Sequence, residues 1–268
     1  MKLDYKRTFL VGLGFLAVNI VWAIYNVTVP LYLKDLGLSG FSVGAVMTVD
    51  NIFAIVFLPV FGALSDRTNT RYGRRMPYLL VGIPLSAIVF FFIPFLANSL
   101  IMLMVSVIAL DFLMSIYRAP TLALMPDITP RPLRSKANGV INFMGAAGTA
   151  IALILGGMLF DIGDYIPFAV SSIIMILTII LMYNLIREPK EVAADHQGPD
   201  VSGGLGGMGR EKGQLLSLVF LLLAIFFWFT GFNVVETFFS TYAQTILGVG
   251  KSMSSYMLLT IAAAFLVF

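Results

Sequence analysis

Apolar residues run along this chain in long stretches separated by short polar connections, with neither the alternation of a half-buried strand nor the narrow stripe of a surface helix. A helix that crosses the hydrocarbon of a bilayer needs about 20 such residues. The stretches at about 8–33, 42–64, 76–97, 99–125, 137–160, 164–186 and 214–247 each supply them, and an eighth begins near 251 and runs to Phe268. The first stretch exceeds the apolar core of a signal peptide and lacks a small-residue cleavage site, so it is predicted to be a retained helix. The pattern predicts an all-α, polytopic membrane protein. Seven helices buried in a soluble core are excluded by composition, because 59% of the residues are hydrophobic and only 12% are charged, against roughly 25% charged in soluble domains.

Charge then orients the spans. Lys2, Lys6 and Arg7, Arg67, Arg71, Arg74 and Arg75, Arg131, Arg134 and Lys136, and Arg187, Lys190, Arg210 and Lys212 all fall on one side of the predicted membrane. Only Lys34 and Lys251 fall on the other, beside the acidic Asp161 and Asp164. Because Lys and Arg are retained in cytoplasmic loops, the expected N-terminus is cytoplasmic and the expected location the cell membrane. The net charge of +3 comes from these short clusters and not from one basic face, which argues against a nucleic-acid partner. The chain has no cysteine, and its single histidine, His196, sits in a Gly-rich polar segment, so neither a metal site nor a cofactor is expected. That segment, "GPDVSGGLGGMG", reads as a flexible linker. It divides the chain into an N-terminal six-helix bundle at 1–186, a connection at 187–213, and the start of a second bundle at 214–268, the layout of a two-halved transporter.

The stretch "GALSDRTNTRYGRRMPYLLVG", residues 62–82, packs four arginines and one aspartate between two apolar spans. Positive-inside placement alone would account for the arginines, but the pattern is more specific. Gly62-x-x-x-Asp66-Arg67 followed by Arg71-x-Gly73-Arg74-Arg75-x-Pro77 resembles the loop between the second and third helices of the major facilitator superfamily, in the lengthened form of sucrose transporters and related glycoside:cation symporters. "DFLMSIYRAPTLALMPDITPRPLRSKAN", residues 111–138, resembles the fourth-helix segment of sucrose transporters, with Asp111, Pro120, Ala123, Leu124 and Asp127 in register. Trp22, Ala23, Tyr32, Leu36 and Gly37 give a fainter likeness in the first span. The resemblance covers residues 1–190 well and the remainder loosely. It implies a fold of twelve helices in two six-helix bundles, so helices 9–12 lie outside this chain. It also implies that the loop latches the cytoplasmic side and favours an outward-facing state. Asp66 would accept hydrogen bonds from a neighbouring helix N-terminus or pair with an arginine. Asp127 and Arg134 occupy the corresponding place in the second three-helix repeat.

Four charged side chains fall inside predicted spans: Asp50, Asp111, Arg118 and Glu236. Each costs at least about 2.5 kcal/mol at the bilayer centre, so each is a candidate functional group. Asp111 and Arg118 are seven residues apart and share a helix face, about 10 Å apart along the axis. Arg118 leans back toward Asp111, and a sugar hydroxyl or water between them would complete the pair. The pair reads alternatively as a buried ion pair that fixes helix register. The resemblance implies that Asp111 binds the coupling proton and also touches the sugar. One departure stands out: the family arginine of this helix would fall at Leu122, one turn beyond Arg118. The acidic pair of melibiose-type symporters would fall at Ala54 and Leu58, which favours protons over sodium. Asp50, beside Asn51, reads as a site carboxylate or as a group near the outer vestibule. Glu236 follows Asn233 by three residues on one face of the seventh span. Asn19, Trp22 and Asn26 recur on one face of the first span, giving amides for sugar hydroxyls and an indole for the apolar face of a pyranose. Trp22 reads equally as a packing residue. Gly148 and Gly156 are expected to let helices pack closely.

The expected function is secondary active transport, proton-coupled uptake of a glycoside or oligosaccharide by alternating access. Asp111 is the expected proton carrier, with Arg118, Asn19, Trp22, Asn26, Asp50, Asn233 and Glu236 around the sugar. The alternative is a non-transporting piece or half-transporter that needs a partner bundle. An intramembrane enzyme would need a nucleophile with its base or a metal motif, and neither is in the spans. A channel fits poorly with charges scattered asymmetrically over two halves.

Overall fold

The computed structural model describes the backbone of residues 3–186 and 212–267. The linker residues 187–211, with Arg187, Lys190, Arg210 and His196, lie outside the described residues, as does Lys2. Every predicted span is helical. We label the helices α1 (Tyr5–Asp35), α2 (Gly40–Met47), α3 (Val49–Arg67), α4 (Met76–Leu96), α5 (Leu100–Ile128), α6 (Arg134–Leu159), α7 (Ile166–Leu185), α8 (Lys212–Ile246) and α9 (Lys251–Val267). A short 3-10 turn, Arg131–Leu133, leads into α6. Large apolar side chains such as Ile55, Ile101, Val105 and Phe220 stand exposed on the outside of the bundle. Water would penalise such a surface, and hydrocarbon tails satisfy it. The protein is a multi-pass membrane protein.

The first helix is the most enclosed. It starts where the Asp4 side chain accepts the Arg7 backbone N–H at 3.1 Å, and it packs on α5, α6, α7 and α8. Its tightest partner is α6. A Cβ added at Gly148 would lie 2.6 Å from the Leu16 carbonyl oxygen, so only a residue without one lets these backbones meet. Farther along α6, Gly156 faces Ser255 of α9 and Ile24 of α1. The expected packing role of both glycines holds. Gly148→Ala is predicted to push α1 and α6 apart at a cost of about 1–3 kcal/mol, read as a lowered thermal unfolding midpoint in detergent.

The second span differs from the single helix expected over 42–64. It breaks at Thr48 into α2 and α3. The Thr48 hydroxyl donates to the Gly44 carbonyl at 2.8 Å, and the Asn51 N–H turns back to the Thr48 carbonyl at 3.1 Å. A hydroxyl bonded to the preceding turn bends a helix. The break leaves Asp50 in the first turn of α3, where the helix dipole favours a negative charge. Beyond the linker, α8 lies against α1 and α9 packs on α6, so the two later helices face the six-helix unit directly.

Candidate functional site

Between the halves lies a cavity of about 610 Å³, walled by α1, α3, α5, α6, α8 and α9. Asn19, Trp22, Asn26, Asp50, Arg118, Asn233 and Glu236, the predicted solute residues, all line it. A polar side chain in a lipid-facing position has no partner, so the polar members of these helices turn to the shared interior. Asn51 Nδ2 donates to Asp50 Oδ1 at 2.9 Å. Asn19 and Asn233 each donate to the carbonyl one turn earlier, at 2.8 Å, which fixes their amides against the wall. Glu236 lies beside Asn26 and within electrostatic reach of Asp50.

Aromatic rings supply the remaining surface. Trp22 is stacked on Tyr25 with centroids 5.4 Å apart and planes 4° from parallel, and the Arg118 guanidinium sits 5.6 Å from the Trp22 ring centre. Opposite them, Trp228 is stacked on Phe232 at 5.9 Å and meets Phe229 edge-on at 4.9 Å. Asn142 and Thr149 of α6 also line the cavity, as do Trp228, Phe229 and Phe232. Sequence reasoning missed these. Asn142 and Thr149 are seven residues apart on one helix face, the same signal that marked Asn19 and Asn26. The phenylalanines gave none, because 23 of them are spread along the chain.

Asp111 is placed differently from the expectation. It is 3% exposed, is not part of the cavity lining, and neither carboxylate oxygen has a hydrogen-bond partner among the described residues. Arg118 turns into the cavity and onto Trp22, and among the described residues it makes no ion pair with Asp111. The face shared by the two residues therefore leaves them within electrostatic reach but short of an ion pair. The Arg118 guanidinium lies over Trp22 instead, and the reading of Asp111 and Arg118 as a register-setting ion pair is not met.

At one end of the bundle the arginine-rich loop folds back on itself. Gly73, at φ +110°, closes a tight turn in which Thr70 Oγ1 donates to the Gly73 carbonyl at 2.7 Å. That turn delivers Arg74 and Arg75 to the last turn of α5. Arg75 Nε donates to Asp127 at 2.9 Å, Arg74 donates to the same oxygen at 3.3 Å, and the Arg75 fork also reaches Asp66, Ser65 and the Gly62 carbonyl. Asp127 sits at a helix C-terminus, where the dipole disfavours a carboxylate, and the two arginines offset that. Burial alone would lower the proton affinity of Arg75, but Asp127 and Asp66 outweigh it and push the guanidinium above its ordinary value. Asp66 thus pairs with an arginine instead of capping a helix. Arg134, expected with Asp127 in the second three-helix repeat, donates to the Pro126 and Thr129 carbonyls and caps the end of α5. Arg67 is exposed, and Arg71 lies over the Tyr72 ring at 4.5 Å, so neither joins the cluster.

A second cluster closes the opposite end. Lys251 of α9 donates to Asp164 at 2.6 Å and lies 5.0 Å from the Tyr32 ring centre, while Lys34 of α1 donates to Thr245 of α8. These contacts join the six-helix unit to α8 and α9.

The polar-lined cavity thus lies between two charged clusters, one at each end of the bundle. The quinolone resistance protein NorA of Staphylococcus aureus is 24% identical over 70% of this chain and 45% of its own length. A general alpha-glucoside permease of Schizosaccharomyces pombe is 22% identical over 69% of this chain and 37% of its own. The chain thus spans about half the length, or less, of these curated relatives. A bacterial homolog of the human lysosomal transporter Spinster, crystallised inward-facing and unoccupied, shares the fold with TM-score 0.73 at 17% identity, over 98% of this chain and 60% of that one. The D-xylose-proton symporter does so with TM-score 0.66 at 17% identity, over 99% and 67%. The model of the Major Facilitator Superfamily matches residues 11–268, and by that match this chain belongs to the Major Facilitator Superfamily of transporters.

Proposed function

We propose that this protein is a proton-coupled symporter of a glycoside or oligosaccharide, working by alternating access in the cell membrane with its N-terminus in the cytoplasm. One observation carries the reading: amides from α1, α3, α6 and α8 and stacked indoles from α1 and α8 converge on one cavity. Sugars present many hydroxyls and an apolar ring face, and amides with flat aromatic walls recognise both. Asp111 is the proton carrier in this reading, since a membrane-buried carboxylate without a partner has no structural use. The Arg75 cluster is the latch at the cytoplasmic end and the Lys251–Asp164 pair the clasp at the outer end. The permease and xylose symporter similarities support a sugar.

The NorA similarity and the excess of cavity carboxylates, Asp50 and Glu236 against Arg118, favour a second reading: export of a cationic aromatic compound. A single experiment separates the two. The intact protein is reconstituted in proteoliposomes with a pH-sensitive dye inside and challenged with methyl α-glucoside, maltose, xylose and a quinolone. Sugar-dependent proton entry is expected. Proton movement with the quinolone alone would overturn the sugar reading in favour of export.

A further inference from the structure

Three full charges line the cavity, Arg118 of α5, Asp50 of α3 and Glu236 of α8, and none of them makes an ion pair among the described residues. The two carboxylates have amides for neighbours: Asn51 donates to Asp50 at 2.9 Å, and Glu236 lies beside Asn26. Arg118 has less. Its guanidinium lies 5.6 Å from the centre of the Trp22 ring, and it makes no hydrogen bond among the described residues. An indole attracts the charge through its ring face but is no substitute for acceptors of its five N–H donors. A guanidinium at membrane depth costs at least about 2.5 kcal/mol, so one held in a cavity wall without an acceptor is placed for an acceptor that arrives with the solute. The group whose two oxygens match its fork is a carboxylate. Asp50 and Glu236 make the opposite demand. They reach the same cavity from the two halves, and an ammonium, with three donors and a positive charge, answers both. Water satisfies such groups as donor and acceptor but brings no opposite charge into a cavity of low dielectric.

We infer that the solute is a glycoside bearing both a carboxylate and an amine, with its carboxylate on Arg118 and its ammonium against Asp50 and Glu236, an inference that rests on the sugar reading of this cavity. A neutral sugar uses the amides and the aromatic walls but leaves all three charges without a counterion. An anionic sugar meets two carboxylates and a cationic one meets Arg118, so each is repelled by part of the wall. A solute with both charges is attracted to every charged group there, and specificity follows from that difference. The cavity, about 610 Å³, falls within the range of small-molecule sites, about 300–1,000 Å³. Because Arg118 belongs to the first half and Glu236 to the second, the bound zwitterion also bridges the two halves.

Four sugars separate the contributions: methyl α-glucoside is neutral, glucosamine carries the amine, glucuronate the carboxylate, and glucosaminuronate both. Binding of each to the intact protein in detergent is measured by titration calorimetry at neutral pH. Glucosaminuronate is expected to bind about tenfold or more tightly than any of the other three. The ratio of its affinity to that of glucosamine should fall about tenfold in Arg118→Gln. The ratio to that of glucuronate should fall as much in the double variant Asp50→Asn with Glu236→Gln. A side chain that only supports the fold would weaken all four sugars alike, so ratios that keep the parent value in variants with the parent unfolding temperature overturn the inference. The ranking on the parent needs no variant. Methyl α-glucoside, glucosamine or glucuronate binding as tightly as glucosaminuronate overturns the inference and leaves the glycoside reading standing. Heat from a quinolone and from none of the four sugars overturns the glycoside reading, and this inference with it.

Discussion

Arg75→Ala should destabilise the protein by about 3–5 kcal/mol, the cost of stripping one partner from a buried ion pair. Arg75 and Asp127 are 5% and 7% exposed, so the loss takes from a buried carboxylate its 2.9 Å guanidinium partner, with Arg74 at the longer 3.3 Å. Asp66 adds little to that figure, being 59% exposed and screened by solvent. Arg75→Lys should not rescue, because one ammonium cannot reach Asp127, Asp66, Ser65 and the Gly62 carbonyl together. Thermal unfolding in detergent measures the effect, and the double variant Arg75→Ala with Asp127→Ala should be more stable than Arg75→Ala alone. An unchanged midpoint in Arg75→Ala would remove the cluster from the list of things that hold the fold. The sign of the pH dependence follows from the raised proton affinity of Arg75. Its contribution is complete at any pH below the unfolded value and is lost only as pH rises through the still higher folded value. Both lie far above working pH, so the arginine side of the cluster is constant there. If the cluster is a latch, Asp66→Ala should also shift the resting state inward. Because the chain has no native cysteine, a single Ala146→Cys in the cavity wall reports the change in access by its labelling rate.

Asp111→Asn is expected to abolish proton-driven accumulation while leaving the protein as stable as the parent or more so. With one proton per solute, a pH difference of one unit supports about tenfold accumulation. Proteoliposomes carrying the variant should reach no gradient, although exchange of labelled solute across the membrane continues. Stability moves the other way because the native carboxylate is buried without a partner, and an amide of the same shape removes about 1 kcal/mol or more of that penalty. Opposite signs for stability and transport identify a group kept for function. Retained accumulation in Asp111→Asn would take the proton from Asp111.

The spans, their number, and the family resemblance of the arginine-rich loop were legible from order and composition, because a helix that crosses hydrocarbon needs about 20 apolar residues in an unbroken run. So were the seven cavity residues: a polar group in a lipid-bathed helix must face inward, and Asn19, Trp22 and Asn26, or Asn233 and Glu236, share a helix face by spacing alone. Asn142 and Thr149 carried the same signal and were overlooked. The break at Thr48 was not legible, since hydropathy does not register a hydroxyl bonding to its own preceding turn. Neither was the closure of Arg74 and Arg75 on Asp127, a contact between residues more than fifty positions apart. Helical periodicity correctly puts Asp111 and Arg118 on one side of α5, yet it carries no information about what packs there. Local order thus determined which segments cross the membrane and which faces are wet. Only tertiary packing decided that Asp111 is buried outside the cavity lining while Arg118 of the same helix lines it, because burial at one position is set by a neighbouring helix that the residue's own segment does not encode.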